Sequence, residues 1–371
     1  MTARIVVVPG PGLDGEQCIE WGADAGVEVD VRSGDPAVVL AGVAARSGPA
    51  GIVIAPGPAG LEAGGLAEAV AAAALPVVAV EPANLRQSVP RPEKTPLVAA
   101  GARLLYGRGP DTGRHAVLYL ARRRTQVPDT LAYGPEPSQE GDLWLPDGPG
   151  PHPVAVLFHG GFWYHAWERD LMDGLALDLA RRGIAAWNAE YRRVGAGGGW
   201  PASGDDAGRA TEHLVALAPV YGLDLGRVAV LGHSAGAQLA LWVAARRRRA
   251  SVHPALVVGL ATIADLRQAM ADRIGGGSVG RLLDGADAGP DAALADASPI
   301  ARLPIGVPQL LAHAVDDHVV PLSQTVDYVA AARSPGDDVT LIELEAGGHF
   351  DLIDPAAAAW ATVAAAIEAS L

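Results

Sequence analysis

The chain has a single cysteine, Cys18, in 371 residues. One thiol closes no disulfide within the chain and builds no multi-thiolate metal site. Lysine is almost missing too: Lys94 is the only one, so arginine carries nearly all the positive charge. Cations are outnumbered, 28 Lys and Arg against 42 Asp and Glu, for a formal net charge of −14 at pH 7. An acidic chain repels polyanions, so nucleic acid is not expected as a partner. The tetrad Arg246–Arg249 does not change this, because it closes a helical pattern, where cations oppose the negative end of the helix dipole. Long apolar runs are lacking as well. The longest candidate, 61–80, is broken by Glu62, Glu68 and Pro76, so no membrane span is expected. The opening MTARIVVVPG reads as a strand rather than a signal peptide, which leads to the expectation of a soluble cytoplasmic protein. Ten histidines are present, but no H-E-x-x-H or similar cluster gathers them, so neither a metal nor another cofactor is expected.

What the chain has in quantity is apolar residues, 50% of the total, and enough length for two domains. Two α/β patterns follow one another. In the first, short apolar runs at Ile5–Val8, Gly51–Ile54 and Pro76–Val80 alternate with helical stretches at Pro36–Arg46, Glu62–Leu75 and Thr112–Ala121. That alternation predicts parallel strands joined by crossover helices. Residues 123–142 hold Pro128, Gly134, Pro135 and Pro137 and read as a linker merging into the next opening strand. The expected domains are therefore 1–124 and 125–371. In the second, strands are expected at Val154–Phe158, Ile184–Asn188, Val228–Leu231, Leu256–Leu260, Gln309–Ala312 and Val339–Glu343. Helices fit Leu171–Arg182, Asp205–Leu217, Ala235–Arg247, Leu322–Arg333 and Ala356–Ser370. Residues 264–300, rich in Gly and Asp, are less regular and suit a cap over a site.

The second half carries the chemistry. Gly232-His233-Ser234-Ala235-Gly236 follows an apolar strand and opens a helix. A sharp turn in that context exposes the serine oxygen, and small neighbours relieve the crowding. His159-Gly160-Gly161-Phe162-Trp163 also follows a strand. Backbone N–H groups of Gly160, Gly161 and Phe162, with that of Ala235, are candidate donors to an oxyanion; which of them point inward is left open. For the acid, Asp316 and Asp317 compete, and Asp317 holds the D-x-x-V-P position and is preferred. The base is His349, behind Gly347 and Gly348 after the last strand. Ser, Asp, His is the chain order expected of a nucleophile, acid and base in an α/β-hydrolase. His313, His318 and His233 are read as structural. Trp163 and Phe162 are candidate walls for a small-molecule substrate, Trp200 divides between wall and core, and Glu190–Arg193 reads as a structural ion pair.

HGGFW, GHSAG, the Asp317 loop and GGHFDLIDP resemble the kynurenine formamidase (arylformamidase) branch of the α/β-hydrolases, as does YGPEPSQEGDLWLP at 133–146. The resemblance covers about residues 128–371. It implies cleavage of an aryl formamide such as N-formylkynurenine through an acyl-enzyme on Ser234, with a carboxylesterase of short acyl esters as the alternative. The first half resembles type II 3-dehydroquinate dehydratase in VPGPGLD, GIVIAPG, LPVVAVEPANL and PLVAAGARLLYGRGPD. That implies a flavodoxin-like parallel sheet and homo-oligomer formation through this domain. The polar positions of that family fall at Gly12, Ala55, Leu61, Glu81 and near Ser88, while Asn84 is retained. Dehydration needs a base, an enolate stabiliser and a proton donor. These residues do not supply them, so the domain is read as inactive.

Overall fold

The computed structural model describes residues 4–10, 12–44, 49–57, 64–73, 75–81, 95–108, 111–246 and 250–371. The chain divides into two compact units, Met1–Val127 and Pro128–Leu371.

The first unit is a parallel five-stranded sheet in the order β2-β1-β3-β4-β5. The strands are β1 (Arg4–Val8), β2 (Glu28–Val31), β3 (Pro49–Ile54), β4 (Val77–Glu81) and β5 (Arg103–Tyr106). This order is the flavodoxin-like doubly wound one. Successive side chains of a strand point to opposite faces, and β1 shows it. Ile5 and Val7 join Cys18 of α1 (Gly15–Asp24) and Leu120 of α4 (Thr112–Thr125) in one core. Val6 and Val8 join Leu40 of α2 (Pro36–Ala44) and Val70 of α3 (Gly64–Ala72) in the other. Strands β2 and β5 lie at the two edges. Their short, half-polar sequences EVDV and RLLY carry little of the apolar signal by which the inner strands stand out. Of the positions weighed in the dehydratase resemblance, Leu61, Asn84 and Ser88 lie outside the described residues.

The second unit holds an eight-stranded sheet in the order β13-β12-β11-β10-β8-β9-β7-β6. Strands β8 (His152–Phe158), β9 (Ala185–Ala189), β10 (Leu223–His233), β11 (Leu256–Leu260), β12 (Gln309–Ala314) and β13 (Val339–Leu344) pair in parallel. A hairpin of β6 (Asp129–Ala132) and β7 (Glu140–Trp144) adds antiparallel to β9. This corrects the linker reading of 123–142. Helix α4 runs through the expected boundary to Thr125, and Asp129–Ala132 is already a strand of the second sheet. Gly134, Pro135 and Pro137 sit in the turn of that hairpin, so the turn residues marked a connection inside a domain, not one between domains.

The expected helix Leu171–Arg182 is α5 (Asp173–Arg181), and the expected helix 205–217 is two, α6 (Ala202–Glu212) and α7 (Leu214–Tyr221), meeting at His213. The cap segment forms short helices at Leu266–Ala271, Ser278–Leu283 and Pro290–Ala297. It is bound to the helix after β10, α8 (Ala235–Ala245): Gln238 donates to the Ala297 carbonyl at 2.8 Å and Trp242 to that of Asp296 at 2.9 Å. No helix among the described residues is long and apolar enough to cross a membrane.

Candidate active site

Strand β10 ends and α8 begins at Ser234, whose backbone stands at φ 55°, ψ −118°. A non-glycine residue at positive φ is strained, and such strain is held by its surroundings. Here the neighbours leave no alternative. A Cβ at Gly232 would overlap the Gly236 carbonyl, and one at Gly236 the Phe158 carbonyl. The turn can therefore be this tight only with glycine on both sides. Ser234 keeps 1% of its surface exposed.

Asp317 lies in the loop after β12 and His349 in the loop after β13. His349 Nδ1 and Asp317 Oδ2 are 2.7 Å apart. The other oxygen of Asp317 accepts the N–H groups of Val319 at 2.8 Å and Val320 at 2.9 Å. His313 Nε2 stands 3.3 Å from Oδ2. Burial alone would raise the Asp317 pKa, but hydrogen bonds from His313, His349 and the loop amide of Val320 outweigh it and hold the carboxyl well below the usual carboxylate range. Asp316 is exposed and makes none of these contacts. His233 donates through Nε2 to the His349 carbonyl at 3.0 Å, and the two rings lie 4.6 Å apart. Burial pushes His233 well below the ordinary histidine value, and the neighbouring His349 pushes the same way. His233 thus stays neutral and ties the residue before the serine to the base loop.

Gly160 packs directly on the serine: a Cβ there would come within 3.1 Å of Ser234 Cβ. The loop then takes three positive φ angles in succession, Gly161 at 106°, Phe162 at 54° and Trp163 at 58°. Among the described residues, the backbone N–H groups of Gly160, Gly161, Phe162 and Ala235 donate to no protein acceptor. Such donors are rare in a folded interior. Three of these belong to the loop that packs on Ser234 through Gly160, and the fourth to the residue after the serine.

Two nominated walls move. Trp163 is fully buried and its indole N–H donates to Gln238 Oε1 at 3.0 Å, so it is core and not pocket. Trp200, 5% exposed, packs edge-on against Trp242 and donates to Asp296 at 2.9 Å, again as core. Phe162 is half-buried with its ring against Gly275 of the cap. Sequence reasoning passed over Trp167 and Phe350. Phe350 is 41% exposed, stands edge-on to His349 at 5.2 Å and stacks on Trp167 at 6.0 Å. Trp167 in turn lies against Gly161, where a Cβ would overlap its side chain. Phe350 had a signal, its place beside the base in GGHFD; Trp167 had none until the fold closed. No group of three or more His, Cys, Asp or Glu among the described residues is placed to hold a metal ion.

A hydroxyl on a strained elbow, an imidazole and an ionised carboxylate are the parts of nucleophilic acyl transfer. The BD-FAE family model matches residues 142–331, just over half of the chain. The chain belongs to the BD-FAE family. It is a serine hydrolase of the α/β-hydrolase type. The BD-FAE segment contains the HGGFW loop, Ser234 and Asp317, and His349 follows it. No curated protein matches the chain. Among solved structures, esterase B from Lactobacillus rhamnosis, inhibited by a tributyrin phosphonate, is 20% identical over 69% of this chain and 91% of its own, with a TM-score of 0.58. A bacterial heroin esterase is 22% identical over 66% and 82%, with a TM-score of 0.55. The acetyl ester-xyloside bifunctional hydrolase of Caldicellulosiruptor lactoaceticus is 22% identical over 60% and 89%, with a TM-score of 0.52. These likenesses give the α/β-hydrolase fold of the second unit.

Proposed function

We propose that this BD-FAE protein is a carboxylesterase of short acyl esters, acting through an acyl-enzyme on Ser234. The observation that carries the reading is the Asp317–His349 pair at 2.7 Å, whose base loop is held by His233, the residue before a serine on which the Gly160 loop packs. His349 takes the Ser234 proton as Oγ attacks the ester carbon. Asp317 holds the imidazole with Nδ1–H toward itself and supports the imidazolium. The N–H groups of Gly160, Gly161, Phe162 and Ala235 are the set from which the oxyanion is held. The alcohol leaves with the proton from His349, and water repeats the attack to free the acid.

Esters are preferred over aryl formamides for two reasons. Two of the solved structures of similar fold are esterases by name and a third is a hydrolase named for an acetyl ester, and Trp163, the residue meant to stack a formanilide ring, is core. The first unit is read as lacking dehydratase activity, because Gly12, Ala55 and Glu81 stand at three of the polar positions such chemistry uses, and as a place for self-association. Purified protein should hydrolyse p-nitrophenyl acetate and butyrate with higher kcat/KM than N-formylkynurenine, and Ser234→Ala should abolish both. Faster turnover of N-formylkynurenine would restore the formamidase reading.

A further inference from the structure

Strands β8 and β9 run side by side with Phe158 opposite Ala189. What leaves the end of one, His159-Gly160, therefore meets what leaves the end of the other, Glu190-Tyr191. We infer that Glu190 and Tyr191 are positioning residues that set the orientation of the two oxyanion-loop peptides carrying the Gly160 and Gly161 N–H groups. The inference rests on the acyl-transfer reading proposed above.

The contacts form two short chains. In the first, Glu190 Oε1 lies 2.8 Å from His159 Nε2, and the opposite ring nitrogen, Nδ1, donates to the Gly160 carbonyl at 2.7 Å. In the second, the Tyr191 hydroxyl donates to the His159 carbonyl at 2.9 Å, while its ring stacks on that of His159 at 4.5 Å. A trans peptide is planar, with C=O and the following N–H pointing in opposite directions. Tying the Gly160 oxygen to the His159 ring turns the Gly161 N–H away from that ring. Tying the His159 oxygen to Tyr191 does the same for the Gly160 N–H. Two adjacent glycines would otherwise leave both planes free to rotate, and a donor that must rotate into place at each turnover stabilises little.

Glu190 is itself held. Its carboxylate accepts the N–H groups of Tyr191 at 3.0 Å and Arg169 at 2.9 Å, and Arg193 Nε lies 3.3 Å away. Burial would raise its pKa, but Arg193, His159 and Arg169 together hold it below the usual carboxylate range. An ion pair serving only the fold would end at Arg193. This one continues through an imidazole to the peptide that faces Ser234.

The test is steady-state hydrolysis of p-nitrophenyl acetate by the full chain carrying Glu190→Gln, His159→Asn, both together, or Tyr191→Phe, with thermal melts of each. His159→Asn keeps an amide donor near the place of Nδ1 but cannot reach Glu190. Loss of one oxyanion donor costs on the order of 10²–10³ in kcat. A loosened donor should cost less, about tenfold for Glu190→Gln and several-fold for Tyr191→Phe, with KM within about twofold of wild type. Because Glu190 acts through His159, adding Glu190→Gln to His159→Asn should cost nothing further in kcat. Multiplying losses in the double variant, or an effect on KM or melting temperature with kcat intact, would overturn the inference. Failure of wild type to turn over the ester, or activity surviving in Ser234→Ala, would instead remove the acyl-transfer reading beneath it.

Discussion

The two units share a plan and differ in what stands at the ends of their strands. Both are open α/β sheets, in which ligands bind beyond the carboxyl ends of the parallel strands. In the second unit those ends carry His159, Glu190, Ser234, Asp317 and His349, all buried. Each of these except the serine hydroxyl is tied by a side-chain hydrogen bond to a neighbouring strand end. In the first unit, the described residues just beyond the strand ends include Pro9 and Gly10 after β1, Ala55 and Pro56 after β3, and Gly107 after β5. Its buried polar residues among those described are Thr95, Arg108 and Thr112. A sheet can be kept by apolar alternation alone, whereas a site needs buried polar groups that hold one another, since each left unpaired is costly. The comparison teaches that building a sheet and building a site are separate demands on a sequence.

The comparison breaks most sharply at Ser234. Ser234→Ala should lower ester hydrolysis by about 10⁴-fold or more, since a triad acts as a unit. Turnover persisting in that variant would move the chemistry elsewhere, the first unit included. Asp317→Asn should cost on the order of 10³–10⁴ in kcat with the fold intact, because a carboxamide leaves the imidazole in the wrong tautomer. Asp316→Asn should stay within about twofold, as that side chain is exposed; the reverse ranking would exchange their roles.

Separating the units sharpens the contrast. Residues 128–371 should keep the esterase activity, and residues 1–127 should fold and form no dehydroshikimate from dehydroquinate, followed by ultraviolet absorbance. Product from the shorter piece would show that its strand ends still hold a working site. Light scattering on the full chain checks self-association, and a monomer would remove that role from the first unit.

Acid offers a subtler probe. Asp317 and Glu190 are both held below their ordinary values. A carboxylate with a depressed folded pKa binds fewer protons folded than unfolded. It therefore stabilises the fold above the unfolded value of about 4, and this contribution is lost as pH falls from there toward the folded pKa. The melting temperature should accordingly drop below about pH 4, and less steeply in Glu190→Gln, which has no such proton to bind. An equal slope in that variant would assign the acid sensitivity to other groups. The smallest effect is expected at Trp163. Trp163→Phe should cost about 1–3 kcal/mol of stability by leaving Gln238 Oε1 without its donor, with little change in acyl preference. A marked shift in specificity would return Trp163 to the pocket wall.

By itself the sequence determined the elements whose cause is local. Apolar runs such as Val154–Phe158 and Leu256–Leu260 are buried strands because nothing else accommodates so many branched apolar side chains. Glycines flanking Ser234, and Gly347 before His349, announce turns because other residues clash or strain there. Edge strands β2 and β5 and the β6–β7 hairpin escaped, since their pairing comes from neighbours rather than from their own composition. Tertiary structure alone decided which side chains face the reacting groups. Trp163 and Trp167 lie four residues apart in one loop, yet the first is locked beneath it by Gln238 and the second lies against Gly161 beside Phe350. Likewise, only the register of β8 against β9 sets Glu190 beside His159. Residue type and spacing carry the order of parts along a chain, but direction belongs to the packed structure, because a side chain points where its neighbours leave room and offer a partner.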